Sequence, residues 1–179
     1  MESSKSILKP DFYVESLACV DVDALYRQGI RLLLLDIDNT LSKHGSITGG
    51  DYAVEQVARI HRTGMECIII SNAMYKRAET FADSLGIPFL PKARKPSRRG
   101  IRLAMQRHPE LDRSQIAIIG DQLLTDILAG NRANILTILV DPISAMESKQ
   151  VRMKRPIEKL LKKICHIERN DLSIHQKKD

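Results

Sequence analysis

Four short apolar runs, separated by amphipathic stretches, constrain this chain more than any other feature. They are Arg31-Leu-Leu-Leu-Leu-Asp-Ile, Cys67-Ile-Ile-Ile-Ser, Ile116-Ala-Ile-Ile-Gly and Ile135-Leu-Thr-Ile-Leu-Val. The runs are continuous rather than alternating, as expected of strands covered on both faces in a parallel sheet. Ile87-Pro-Phe-Leu is a shorter fifth candidate, and its proline suits an edge or a strand start. Helical stretches over 52–62, 73–85, 97–107 and 123–131 lie between the runs, with Gly64, Gly86 and Gly130-Asn131 as stop signals. Asp21, Asp23 and Asp51 read as caps ahead of helices. The alternation predicts an α/β fold, a three-layer sandwich with a mostly parallel sheet and helices on both sides.

Composition sets the outer bounds. The 179 residues suit one domain with a tail, and 43% hydrophobic content supplies a core that a disordered chain lacks. No apolar run is long enough to span a bilayer. Met1-Glu-Ser-Ser-Lys-Ser is not followed by an apolar segment, which predicts no secretory signal. Cys19, Cys67 and Cys165 are scattered and form no CxxC pair, which predicts neither a disulfide framework nor a zinc knuckle. A reducing, cytoplasmic compartment follows as the expectation. The formal charge of +6 is unevenly placed: residues 1–148 hold 18 bases and 18 acids, whereas 149–179 hold 10 bases and 4 acids. The chain therefore divides into a neutral body over 1–148 and a basic end over 149–179, which excludes a uniformly basic nucleic-acid-binding domain.

In a parallel sheet, reactive groups belong at the carboxyl ends of the strands. The polar residues there are Asp36 and Asp38 after the first run, Ser71 and Asn72 after the second, and Asp121 after the third. Two carboxylates two residues apart repel unless a cation lies between them, and a hard cation such as Mg²⁺ takes oxygen ligands. Asp121 adds a third carboxylate, with Asp126 five residues on. Ser71-Asn72, at a helix start, suits an anion, and Lys95 can place a positive charge on a phosphoryl group. Acids for a metal, one of them free to attack, together with a hydroxyl and a lysine for phosphate, are what phosphoryl transfer needs.

The order Asp36-x-Asp38-x-Thr40-Leu, Ser71, Lys95-Pro and Gly120-Asp121-x4-Asp126 resembles the four motifs of the haloacid dehalogenase (HAD) superfamily. Gly29-Ile-Arg-Leu-Leu-Leu-Leu-Asp-Ile-Asp-Asn-Thr-Leu, Ser71-Asn, Lys95-Pro, Gly120-Asp-Gln-Leu-Leu-Thr-Asp-Ile-Leu-Ala-Gly-Asn-Arg and an early Leu8-Lys-Pro-Asp resemble, in detail, the bacterial YqeG family of subclass IIIA phosphatases. That resemblance implies a HAD-like Rossmannoid fold and a Mg²⁺-dependent phosphomonoesterase. It implies Asp36 as nucleophile and metal ligand, and Asp38 as general acid and then base, with a neighbouring carbonyl on the metal. Ser71 and the Asn72 backbone would bind the phosphoryl group, Lys95 would neutralise it, and Asp121 would complete the metal site. Asp126 would support that site or ligate through water, and Thr40 would brace the first motif's loop. About 30 residues separate Thr40 from Ser71, too few for a cap domain, so a capless, open site suits a bulky phosphorylated substrate.

From Lys92 to Arg107 there are seven bases and no acid, either a solvated helix face or a basic rim for an anionic substrate. Val151, Met153, Ile157, Leu160, Leu161, Ile164 and Ile167 recur at near-helical spacing among lysines and arginines, which predicts an amphipathic basic helix over about 155–169. It either packs on the body or lies on anionic lipid; RNA ranks behind lipid, since the segment lacks interleaved aromatics. A resemblance to mitochondrial phosphatidylglycerophosphate phosphatases, related to this family, points to a phosphorylated lipid headgroup as substrate. Two other classes stay open: a phospho-acceptor signalling domain, and a membrane- or RNA-binding protein working through its tail. His44 reads as an exposed loop histidine, and Cys67 as core.

Overall fold

The computed structural model describes residues 6–90, 92–143 and 149–170, with side chains of the last segment described from 156 onward. Six strands form one sheet: β1 (Phe12–Val14), β2 (Leu32–Leu35), β3 (Glu66–Ile70), β4 (Phe89–Leu90), β5 (Ile116–Gly120) and β6 (Leu136–Val140). Their order is β1-β6-β5-β2-β3-β4, and every neighbouring pair is parallel. Six α-helices accompany them: α1 (Val22–Arg27), α2 (Asp51–Arg62), α3 (Tyr75–Leu85), α4 (Arg99–Arg107), α5 (Leu128–Ala133) and α6 (Lys149–Ile164). The four apolar runs become β2, β3, β5 and β6, and the proline-containing candidate becomes the edge strand β4.

The two sides of the sheet are filled from alternate residues of the same strands. Leu33, Leu35, Cys67, Ile69, Ala117 and Ile119 pack beneath α1, α2 and α3. Leu32, Leu34, Ile68, Ile70, Ile116 and Ile118 pack beneath α4 and α5. Both pleat faces are thus covered, which is why these strands read as unbroken apolar runs. Each fully buried Leu or Ile contributes about 1.5–3 kcal/mol relative to exposure. Connections that step toward β4 use helices on one side and those that step toward β1 use the other, as right-handed crossovers require. The reversal falls between β2 and β5, where Asp36 and Asp121 emerge.

Three features were not legible in the runs. β1 is three residues long and follows Pro10 and Asp11, so it carries no extended apolar run. It is held by pairing with β6 and by Asp11, whose Oδ2 accepts from Thr137 N at 2.8 Å and Thr137 Oγ1 at 2.9 Å. Of the anticipated caps, Asp21 is one, accepting from Ala24 N at 2.8 Å, while Asp51 is the first residue of α2 after the cap Gly50. The C-terminal helix runs over Lys149–Ile164 rather than from about 155 to 169, and continues through Pro156.

The end of the chain packs on the body. Leu161, Cys165 and the buried Ile167 join Tyr13, Leu123, Ile127 and Leu139. Leu139 shares a pleat face with Thr137, which lies beneath Gly130 of α5: a Cβ on Gly130 would meet Thr137 Cγ2 at 2.4 Å. Hence α6 lies on the same side of the sheet as α4 and α5. A polar cluster fixes its end. The Tyr13 hydroxyl donates to Asp141 Oδ1 at 2.5 Å, Lys162 Nζ donates to Tyr13 Oη at 2.9 Å, and Arg169 pairs with Asp141. Asn170 N donates to the Tyr13 carbonyl at 2.9 Å. No helix among the described residues is long and apolar enough to cross a membrane.

Partial burial pushes the Asp141 carboxyl up, but the Tyr13 hydroxyl, Arg169 and Lys162 outweigh it and hold its pKa below the ordinary value of 3.8. A depressed carboxyl stabilises the docked state above its unfolded pKa and loses that contribution as pH falls through the folded one. Hydrogen exchange over 161–170, corrected for intrinsic rates, should therefore stay protected from neutral pH down to about 4 and lose protection below. Asp141→Asn should show faster exchange already at pH 7.

Candidate active site

The carboxyl ends of β2, β3 and β5 deliver the chemistry to one place. β2 ends at Leu35, and Asp36, 5% exposed, is fixed by its N–H donating to the Ile119 carbonyl at 3.0 Å. β5 ends at Gly120, and Asp121 follows, 1% exposed. A single π-helical turn, Leu123–Ile127, then brings Asp126 back over the strand end. Gly120 permits that return: a Cβ there would lie 2.3 Å from Asp126 Cγ. Asp126 is fully buried and accepts from Gln122 N at 3.1 Å.

Asp36, Asp121 and Asp126 each present a carboxylate oxygen within 4.8 Å of the others. Lys95 enters this cluster from the loop before α4. Its ammonium lies 2.7 Å from Asp36 Oδ1 and 2.7 Å from Asp126 Oδ1. Burial pulls the Lys95 ammonium down, but Asp126 and Asp36 more than offset it and hold its pKa above the ordinary lysine value. The Asp36 pKa is raised as well, in its case with burial as the leading cause. Burial raises its carboxyl, Lys95 lowers it, and Asp126 and Asp38 raise it again, leaving a pKa of about 6. Asp36, Asp121 and Asp126 thus gather their carboxylate oxygens in one place beside the Lys95 ammonium, a cluster that a divalent cation could bridge. The donors are hard oxygens on separate turns, and this set fits Mg²⁺.

The Asp38 carboxylate is turned away from this cluster. Asn39 adopts the left-handed region at φ +61°, and its N–H donates to the Ser42 carbonyl at 2.7 Å, so the chain turns sharply after Asp38. Asp38 then meets Arg77 of α3 in a two-pronged pair, NH2 to Oδ1 at 2.7 Å and NH1 to Oδ2 at 2.9 Å. Gly45 N donates to Asp38 Oδ1 at 3.0 Å, and His44 Nδ1 lies 3.1 Å away. Burial raises the Asp38 carboxyl, but Arg77, Gly45 and His44 outweigh it and hold its pKa below the ordinary value. Arg77 is the residue that sequence reasoning missed. It belongs to no motif, and the spacing between Asp38 and α3 gives no hint that they meet.

The phosphate-binding candidates also take distinct places. Ser71 is buried, and its Oγ accepts from Ala73 N at 3.1 Å. The Asn72 side chain clamps the lysine loop: Nδ2 donates to the Lys95 carbonyl at 2.9 Å, and Lys95 N donates to Oδ1 at 2.8 Å. Asn72 therefore positions Lys95 with its side chain. Thr40 is buried inside the first loop, where its N–H donates to the Ile37 carbonyl at 3.3 Å. Between β2 and β3 the only helix is α2, and between β3 and β4 only α3, so among the described residues no cap domain is inserted at the carboxyl edge.

The sequence profile of the HAD-hydrolase-like family matches residues 92–150. The chain is 33% identical over 168 residues to the Probable phosphatase YqeG of Bacillus subtilis, covering 92% of this chain and 97% of that one. It is 27% identical over 182 residues to Phosphatidylglycerophosphate phosphatase 1, chloroplastic/mitochondrial, of Arabidopsis thaliana, covering 90% of this chain and 52% of that one. It is 30% identical over 172 residues to a chloroplastic protein of the same name from Chlamydomonas reinhardtii, covering 87% and 61%. The chain spans between about half and three fifths of the length of those two. A solved structure of an uncharacterized protein from Listeria monocytogenes serotype 4b shares the fold at a TM-score of 0.52 and 15% identity, over 75% of this chain and 99% of that one. A hypothetical protein from Xanthomonas campestris does so at 0.51 and 19%, over 70% and 72%.

Gly120→Ala should push Asp126 off Lys95. Turnover of an aryl phosphate should fall about tenfold or more, with a stability loss of about 1–3 kcal/mol in urea unfolding. Gly130→Ala, which meets Thr137 and Ile118 just as closely, is the control. It should cost similar stability and leave turnover by the folded protein near wild type.

Proposed function

The chain belongs to the YqeG-type phosphatase family of the HAD superfamily, and from that premise we propose that it is a Mg²⁺-dependent phosphomonoesterase with Asp36 as its nucleophile. The observation that carries this reading is the buried Asp36 carboxylate, held 2.7 Å from the Lys95 ammonium at the point where strand order reverses. Asp36, Asp121 and Asp126 would hold the ion, which when bound neutralises the phosphoryl oxygens and favours in-line displacement.

An Asp36 oxygen attacks phosphorus, and the bond from phosphorus to the ester oxygen breaks. Asp38 gives a proton to the leaving oxygen, so the alcohol departs and an acyl-phosphate remains on Asp36. A water then loses a proton to the Asp38 carboxylate and attacks phosphorus, releasing inorganic phosphate and restoring Asp36. The Ser71 hydroxyl and the Asn72 N–H donate to phosphoryl oxygens, and Lys95 offsets their charge. For this role Asp38 gives up Arg77, whose pairing holds it ionised, and takes a proton from solvent as the substrate enters, so that it carries the proton it then donates.

The substrate we propose is a phosphorylated lipid headgroup of the phosphatidylglycerophosphate class. The similarity to two phosphatases of that name and the lack of a cap domain among the described residues support it. A headgroup attached to a diacyl anchor needs a site that opens outward.

Asp36→Asn should reduce aryl phosphate hydrolysis to background, and Asp38→Asn should reduce it by about 10²–10⁴-fold. Chelation should abolish wild-type turnover, and Mg²⁺ should restore it. Near wild-type turnover by Asp36→Asn would overturn the mechanism. Turnover of aryl phosphate with none of phosphatidylglycerophosphate in detergent would overturn the substrate alone.

A further inference from the structure

The two helical layers carry different charge. On the α1–α3 side the helices hold five acids and five bases. On the α4–α6 side, counting α6 from residue 156, they hold seven bases and one acid, Glu158, which is buried at 2% exposure. Arg98, Arg102 and Arg132 line one open cleft between the start of α4 and α5, with Pro96 and Ser97 in its wall. All three arginines are exposed, and no acidic side chain among the described residues lies within ion-pair distance of them. Arg132 NH1 donates to the Pro96 carbonyl at 3.3 Å, so the cleft adjoins the loop that carries Lys95.

The same layer shows an apolar stripe. Ile157, Leu160 and Ile164 stand one helical turn apart along α6 and are 52%, 57% and 61% exposed. They do not belong to the packing of this helix, since Glu158, Leu161 and Cys165 face the body. Lys159 and Lys163 flank the stripe and are exposed. Exposed large aliphatics at this spacing beside lysines are the pattern of a helix lying in a lipid interface.

We propose that the α4–α5–α6 layer docks on the surface of an anionic bilayer, with Ile157, Leu160 and Ile164 entering the headgroup boundary and Arg98, Arg102 and Arg132 on lipid phosphates. Charge complementarity selects this occupant. A protein partner would need an acidic face with its own apolar socket, and RNA would leave the aliphatic stripe in water. A bilayer satisfies both features at once. The inference deepens the lipid-substrate reading: α4 begins beside Lys95, so docking sets the open site at the border of the membrane that holds the substrate.

Co-sedimentation of the full chain with vesicles of phosphatidylglycerol and phosphatidylcholine tests it, against vesicles of phosphatidylcholine alone. Wild type should bind the anionic vesicles, and added salt should weaken that binding. Ile157→Ser/Leu160→Ser/Ile164→Ser and Arg98→Gln/Arg102→Gln/Arg132→Gln should each lower binding about tenfold or more. Both variants should keep wild-type turnover of aryl phosphate, which shows that they fold and separates this result from failure of the phosphatase reading. No binding by wild type, equal binding to both vesicle types, or undiminished binding by both variants would overturn the proposal. So would binding to poly(U) RNA without binding to anionic vesicles.

Discussion

The buried ammonium of Lys95 between Asp36 and Asp126 is the contact on which the rest of the site depends. Three carboxylates drawn from two strand ends could not be buried together without positive charge among them. Each element nearby contributes to keeping that charge in place. Gly120 lets Asp126 return over its own strand, Asn72 grips the lysine backbone from both sides, and the π-helical turn sets Asp126 at depth. The cluster gathers three carboxylates around one ammonium in a buried place at the sheet's carboxyl edge.

Arg77 adds a second arrangement to the first. It holds Asp38 through two hydrogen bonds and donates from Nε to the Ser46 carbonyl at 2.9 Å, tying α3 to the loop after β2. The acid nearest Asp36 in sequence thus points into a different contact, away from the Asp36 cluster. Two carboxylates two residues apart are given opposite environments: one buried and raised toward neutral pH, the other held ionised by a guanidinium. That division lets one loop carry two acids of different character.

Much of this was legible in the sequence, for a physical reason. Strands covered on both faces must be apolar at every position, so β2, β3, β5 and β6 are written as unbroken runs, and polar residues at their ends stand out. Asp36, Ser71 and Asp121 could be placed at one edge on that ground, and the motif order led to the HAD family. β1 is too short to leave such a run and is held by long-range bonds to Thr137. Arg77 is an ordinary helix residue until the fold sets it against Asp38, and side-chain pairing across 39 residues leaves no local trace. The place of Asn72 also shows only in three dimensions: it lies in the turn between β3 and α3, and its side chain reaches across to the lysine loop. The tail's pattern was ambiguous because one helix carries two apolar stripes. One stripe packs on Tyr13 and Leu139, and another remains exposed.

The unequal charge of the two helical layers has a consequence at distances where no contact exists. Balanced charge on the helices of one side and a surplus of bases on the described helices of the other give these two layers a dipole component across the sheet. Near any extended negative surface this dipole feels a torque as well as an attraction, over a range of about 10 Å at ordinary ionic strength. The protein therefore tumbles unevenly as it approaches, spending more of its encounters with the α4–α6 side leading. Orientation is thereby partly decided before the first side chain touches anything, which raises the fraction of collisions that arrive the right way round.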